Sequence, residues 1–171
     1  WGGAMEQAHH HLAVVKTEQA QANAAVDLLE RWAQGSGTDT TGSALRIGDV
    51  ALLLGLSRDI LRNWERNGLI VVPRTEANSY RMYGPQEISR LRVIRMLVNA
   101  GYSLMSILRM LLQLDRGEIR DLRYALDTPQ PDEDVYMASD RWLSTLDYEE
   151  QRARKVIELI ESIIRGRAGE R

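Results

Sequence analysis

The sequence predicts a mainly α-helical protein: a winged helix-turn-helix unit with a small β-hairpin wing, flanked by coiled-coil dimerisation helices. Three observations predict it. Residues 47–66 hold two short helical patterns joined by a glycine-containing turn, which is the helix-turn-helix arrangement. Residues 4–34 lack Pro and Gly and carry an unbroken 3-4 apolar spacing. A second apolar stripe recurs near the other end, at Ala153, Val156, Ile157, Ile160, Ile163 and Ile164.

The N-terminal pattern runs Met5, Ala8, Leu12, Val15, Gln19, Ala22, Val26, Leu29, Ala33. Such a seam makes residues 1–34 a coiled-coil dimerisation helix, with Leu12, Val15, Gln19, Ala22, Val26 and Leu29 in the interface and Gln19 setting register. The alternative is an amphipathic helix packed within its own chain. Residues 35–44, with Gly35, Ser36, Gly37, Gly42 and Ser43, have linker composition.

The DNA-reading segment follows, residues 45–114. Ile47 to Leu54 forms the first short helix, Gly55-Leu56-Ser57 the turn, and Arg58 to Arg66 the second helix, the one that enters the major groove in this motif. Asn67-Gly68 stops it. Leu69 to Val72 is β-branched and ends at Pro73; Arg74 to Ser79 turns; Tyr80 to Tyr83 alternates as a return strand, giving the wing. Pro85 and Glu87 suit the first turn of a third helix, with Ile88, Leu91, Ile94, Leu97 and Val98 on its apolar face. Ala100-Gly101-Tyr102 ends it, and Ser103 caps a fourth carrying Ile107, Leu108, Leu111 and Leu112. Residues 115–171 comprise a loop and a second dimerisation helix. The loop is acidic and proline-broken at 127–134. The helix starts near Ser139 or Asp140, with a break expected near Thr145-Leu146-Asp147. Its interface residues are Val156, Ile157, Ile160, Ile163 and Ile164.

Charge is unevenly distributed. The chain is −2 overall, yet residues 45–111 hold ten Arg against five acidic residues. Twenty of the 22 basic residues are Arg, which forks onto phosphate and guanine; a GC-rich coding bias gives the same count. The chain has no cysteine, so disulfides, iron–sulfur clusters and thiolate metal sites are excluded from it. The three consecutive residues His9, His10 and His11 point about 100° apart on a helix and cannot close on one ion. Asp132-Glu133-Asp134 reads as a solvated loop or helix start before it reads as a cation site. No glycine-rich phosphate loop, cysteine nucleophile or histidine triad is present, so no enzyme, metal or cofactor is expected. No run of 18 apolar residues exists, and the expectation is a cytoplasmic protein with no membrane contact.

Within residues 45–113, Ile47-Gly48-Asp49-Val50-Ala51, Gly55-Leu56-Ser57, Leu61 to Leu69, Pro73-Arg74, Tyr80 to Tyr83 and Ala100 to Leu104 together resemble the DNA-binding domain of the MerR family of bacterial transcription regulators. The resemblance implies a homodimer paired through an antiparallel coiled coil. It also implies binding to double-stranded promoter DNA with an overlong spacer, and distortion of that DNA. RNA polymerase is the candidate further partner. The chain departs from the pattern in three ways. Asn63-Trp64 stands where two tyrosines are common, Ser79 stands where glycine is usual before Tyr80-Arg81, and a seam-bearing helix precedes the domain. That helix suggests two such units in tandem, with residues 4–34 closing the first.

The DNA-binding residues expected are Ser57, Arg58, Arg62, Asn63, Arg74, Tyr80 and Arg81. Arg62 contacts phosphate or base, or else pairs with Asp59 or Glu65. Arg58 and Asn63 read bases. Ser57 caps its helix and reaches phosphate, Arg74 and Arg81 track the backbone from the wing, and Tyr80 either packs on the wing or donates to phosphate. Trp64 is expected in the core, Tyr83 in either setting, and Trp142 and Tyr136 in packing before any pocket. Two alternatives stand beside the regulator. One is an architectural, excisionase-like DNA-bending protein; the other is a coiled-coil interaction module whose helix-turn-helix is vestigial.

Overall fold

The computed structural model describes residues 2–35, 42–75, 79–118, 121–128 and 141–168. Among them are seven helices: α1 (Gly2–Ala33), α2 (Ile47–Leu54), α3 (Arg58–Arg66), α4 (Pro85–Asn99), α5 (Leu104–Asp115), α6 (Leu122–Asp127) and α7 (Trp142–Ala168). Most of the expected linker, the acidic loop with Asp132-Glu133-Asp134 and Tyr136, and the Ser139/Asp140 cap lie outside the described residues.

Local chemistry sets the helix ends. Ser57 and Ser103 accept from the backbone N–H of Ile60 and Ser106, capping α3 and α5. Glu87 reaches back to the N–H of Gly84 (2.9 Å) at the start of α4, where Pro85 costs no hydrogen bond. Gly55 and Gly68, at φ +60° and +79°, turn the chain after α2 and α3 in the left-handed region.

The core is one cluster. Val50, Ala51 and Leu54 of α2 meet Leu61 and Trp64 of α3, then Leu91, Ile94 and Leu97 of α4 and Ile107, Met110 and Leu111 of α5. Arg90 braces this unit. It forks onto Asp115 (2.7 and 2.8 Å) and donates to the Leu69 carbonyl (2.8 Å), joining α4, α5 and the segment after α3.

Two expectations are corrected here. The first concerns the seam of residues 1–34. α1 packs along α7 of the same chain, and also against α4 and α6. His11 approaches Glu149, while Gln19, further along α1, donates to Asp147, earlier in α7; the two helices therefore run antiparallel. Val15, Ala22, Val26 and Leu29 are buried, and Leu12 and Gln19 are half-buried. The facing stripe of α7 is Leu143, Leu146, Ala153 and Ile157, again at 3-4 spacing. Polar ties fix the pairing: Trp32 donates to Ser89 (2.9 Å), and Arg123 of α6 bonds Asn23 and Asp27. The stripe is thus covered from within the chain, because α4, α6 and α7 present the apolar surface that the seam needs. On α7 only Ile157 of the expected interface is buried; Ile160 and Ile163 are half-buried, and Val156 and Ile164 are exposed. α7 also runs unbroken through Thr145-Leu146-Asp147, since Leu146 is buried and its neighbours face solvent.

The second correction is the wing. No strand forms among the described residues; the expected hairpin is reduced to an antiparallel bridge between Arg74 and Arg81. The Thr75 N–H donates to Tyr80 O and the Met82 N–H to Pro73 O, so the chain does double back. Too few residues pair on each side to extend a ladder. Leu45 and Tyr83 exchange both backbone hydrogen bonds (2.9 Å each), anchoring the return arm to the start of the unit. Ser79 sits at φ +54°, the left-handed conformation that glycine adopts at no steric cost.

α6 is held by a buried cation. Arg109 donates to the carbonyls of Ala125 (3.2 Å) and Leu126 (3.4 Å), which the C-terminal turn of α6 leaves open. Arg109→Met would strand both oxygens in the core. It is expected to cost about 2–3 kcal/mol, read as a lower urea midpoint.

Candidate nucleic-acid interface

The outward face of α3 is set by what it buries. Leu61 and Trp64 turn into the core, so Arg58, Arg62 and Arg66, at successive i+4 positions, line one exposed ridge. Ser57 sits at the head of that ridge as the α3 cap. Arg58 leans on the first turn of α2: a Cβ added at Gly48 would lie 2.9 Å from its Nη2. Arg62 pairs with Asp59 at 3.0 Å, one of the two alternatives open to it from sequence. Both partners face solvent, so the pair is worth only a few tenths of a kcal/mol and yields readily to a phosphate.

The wing residues divide. Arg81 meets Glu65 of α3 at 2.6 Å in a partly buried ion pair that fastens the doubled-back segment to α3. That bond spends its charge inside the protein. Arg74 stays exposed, with a long contact (3.5 Å) to the Ser79 carbonyl. Tyr80 is exposed, and the Arg46 guanidinium stacks 5.4 Å from its ring centroid. Asn63 lies on the other flank of α3. It is half-buried beside Ile60 and Trp64, facing α4, and its side-chain Oδ1 accepts from Asn67 Nδ2 (3.0 Å). Arg58 and Asn63 are five residues apart, about 140° around a helix, so they cannot share the centre of one face.

Sequence reasoning missed Arg66 and Arg46. The i+4 step from Arg62 signals Arg66; nothing in the linear pattern signals Arg46, whose place depends on the wing folding back. Among the described residues, Arg46, Arg58 and Arg66 have no carboxylate partner, whereas Arg116, Arg123, Arg152, Arg154 and Arg165 outside the unit are all paired with acids. Gathered within one unit, Arg46, Arg58 and Arg66 leave a positive field that draws polyanions. Replacing Arg58 or Arg66 by Ala is expected to lower the slope of log affinity for duplex DNA against log salt by about one unit each.

Two buried tyrosines have raised pKa values, Tyr83 behind this surface and Tyr102 against α1. Tyr83 titrates above its usual range, mainly through burial and then through Glu65, with Arg81 and Arg62 opposing. Tyr102 is raised further, again by burial first; Arg123 opposes and Asp127 adds to the rise. Both are protonated in the fold. Their contribution to stability is fully present below about pH 10, where unfolded tyrosine ionises, and is lost as pH rises towards the folded values. The urea midpoint is therefore expected to fall as pH rises above about 10, and less steeply in Tyr102→Phe.

Residues 45–114 match the family described as "MerR HTH family regulatory protein". The chain is 36% identical over 75 residues to the mercuric resistance operon regulatory protein of Bacillus cereus, covering 44% of this chain and 57% of that protein. It is 37% identical over 71 residues to a probable heavy metal-dependent transcriptional regulator of Haemophilus influenzae, covering 42% and 56%. It is 33% identical over 60 residues to the HTH-type transcriptional regulator CueR of Escherichia coli, covering 35% and 44%. The chain thus spans about half the length of these curated relatives. No solved structure matches.

Proposed function

We propose that this chain, whose residues 45–114 form a MerR-family helix-turn-helix domain, is a sequence-specific, non-enzymatic transcription regulator that binds promoter DNA. The observation that carries this reading is the exposed arginine ridge on the helix that the motif inserts into the major groove, where Arg58 and Arg66 have no acid partner among the described residues and Arg62 holds only the exposed Asp59. Arg58, Arg62 and Arg66 would engage bases and phosphates, Ser57 and the N-terminus of α3 a phosphate, and Arg46, Arg74 and Tyr80 the flanking backbone. Arg81 acts through Glu65 by holding the wing.

In this reading residues 45–114 are the reading unit, and α1, α6 and α7 are its brace. An inverted-repeat site needs two reading helices. A second copy supplies the other one, docking on the side of α7 turned from α1, where Val156, Leu159 and Ile164 are exposed. RNA polymerase acts at the remodelled promoter. The setting is the cytoplasm; no helix among the described residues is long and apolar enough to cross a membrane. The relatives' names speak of mercury and heavy metals. This chain has no cysteine, so a thiolate site for such ions is not within these 171 residues. The interaction-module alternative loses its motive, because the α1 seam is filled inside the chain.

Selection from a random duplex library with the intact chain tests the reading. Enrichment of an inverted repeat that maps inside promoter spacers is expected. No enriched sequence would refute it, and enrichment only at recombination sites would favour the architectural alternative.

A further inference from the structure

α3 packs chiefly on α2 and stands off from α4 and α5 across a groove of about 600 Å³. That volume lies in the range of small-ligand sites. The walls are apolar: Leu56, Ile60 and Trp64 on one side, Val98 and Leu104 on the other. Ile60 is left 39% exposed, although it lies on a helix whose other apolar residues are buried. The polar groups at the rim are mostly donors. Arg66 and Arg95 line the groove, and neither has a carboxylate partner among the described residues. Asn99 adds an amide. Asp59, the one acid in the lining, is held by Arg62, and Asn63 is engaged with Asn67.

We infer that this groove is a binding site for a small amphiphilic anion, an apolar body of drug size carrying one carboxylate or sulfonate. The apolar body covers Ile60 and lies against the Trp64 wall; the anionic group meets Arg95 and Arg66. Apolar burial supplies the affinity, and the two guanidinium groups select for negative charge. One wall belongs to the proposed reading helix, so an occupant would set how α3 is presented to DNA. That consequence rests on the function proposed above; the binding itself does not.

The test therefore omits DNA. The intact chain is titrated with 1-anilinonaphthalene-8-sulfonate, followed by its fluorescence, beside Arg95→Gln, Ile60→Ser and Leu52→Ser. Leu52, at 85% exposure, is the most open large apolar residue described and lies outside the groove lining. Circular dichroism confirms that each variant is folded. Expected is one saturable site per chain, weakened about tenfold by Arg95→Gln, the loss of one charge-assisted hydrogen bond. Ile60→Ser weakens it similarly and Leu52→Ser leaves it unchanged. Non-saturating binding, or equal affinity in the Arg95 and Ile60 variants and the unmodified chain, overturns the proposal. Repeating the titration with selected duplex present separates the two readings, because a chain that fails to bind DNA can still fill this groove.

Discussion

Gly101→Ala is expected to destabilise the fold by about 2–4 kcal/mol. Two costs add. Gly101 sits at φ +96°, where a side chain costs about 1 kcal/mol or more. An added Cβ would also fall 2.7 Å from the indole of Trp142, well inside contact distance. That indole lies against Gly101 while its Nε1 donates to the Ala100 carbonyl at 2.8 Å, so moving it away would strain that bond. Overlap of this kind costs about 1–3 kcal/mol. Trp142 opens α7, so the damage should spread along α7 and its pairing with α1. Urea denaturation gives the magnitude. Hydrogen exchange should show amides of α7 and α1 opening before those of α4. An unchanged midpoint would mean that Trp142 does not seat on this turn.

Val26→Asp is expected to cost about 4 kcal/mol. Val26 is fully buried in the α1 stripe, and a carboxylate placed there would be taken out of water among apolar side chains. The companion substitution Val14→Asp is one face over on the same helix and 41% exposed; it should change stability by no more than about 0.5 kcal/mol. The contrast separates a helix packed in its own chain from one whose whole circumference is free. Equal, small effects would mean that α1 does not dock.

These two positions also show what the sequence made legible. Most of the α1 stripe was readable, because 3-4 spacing reports which face is apolar, although Ala25 is buried outside that spacing and Ala33, at its end, is exposed. Its partner was not, since the same spacing serves a second chain or α4, α6 and α7 of this one. The limits of α2 to α5 were readable because Ser57, Gly68, Pro85, Glu87 and Ser103 act on backbone groups within a turn of themselves. α6 escaped notice although Asp121 accepts from the Tyr124 N–H as a cap, and Leu122, Ala125 and Leu126 follow at helical spacing; six residues are too few for periodicity to stand out. The doubling back at Arg74–Arg81 was legible from turn residues, but the number of ladder bonds that would form was not. On the exposed side of α3, residue type and turn position picked out Ser57, Arg58 and Arg62, all of which face solvent. The misassigned face of Asn63 was a matter of angle, readable from Leu61 and Trp64 once those two fix the buried side. Arg46 over Tyr80, and Arg81 spent on Glu65, depend on contacts 34 and 16 residues apart in the chain.

The central claim is that the arginine ridge of α3 is what meets DNA. The most direct measurement is the salt dependence of affinity for the selected duplex, compared among the intact chain, Arg62→Ala and the off-ridge control Arg152→Ala, which removes a paired charge on α7. The account predicts a shallower slope by about one unit and an affinity loss of about tenfold for Arg62→Ala, with Arg152→Ala matching the intact chain. Identical slopes in all three would contradict it and place the DNA contact elsewhere on the molecule.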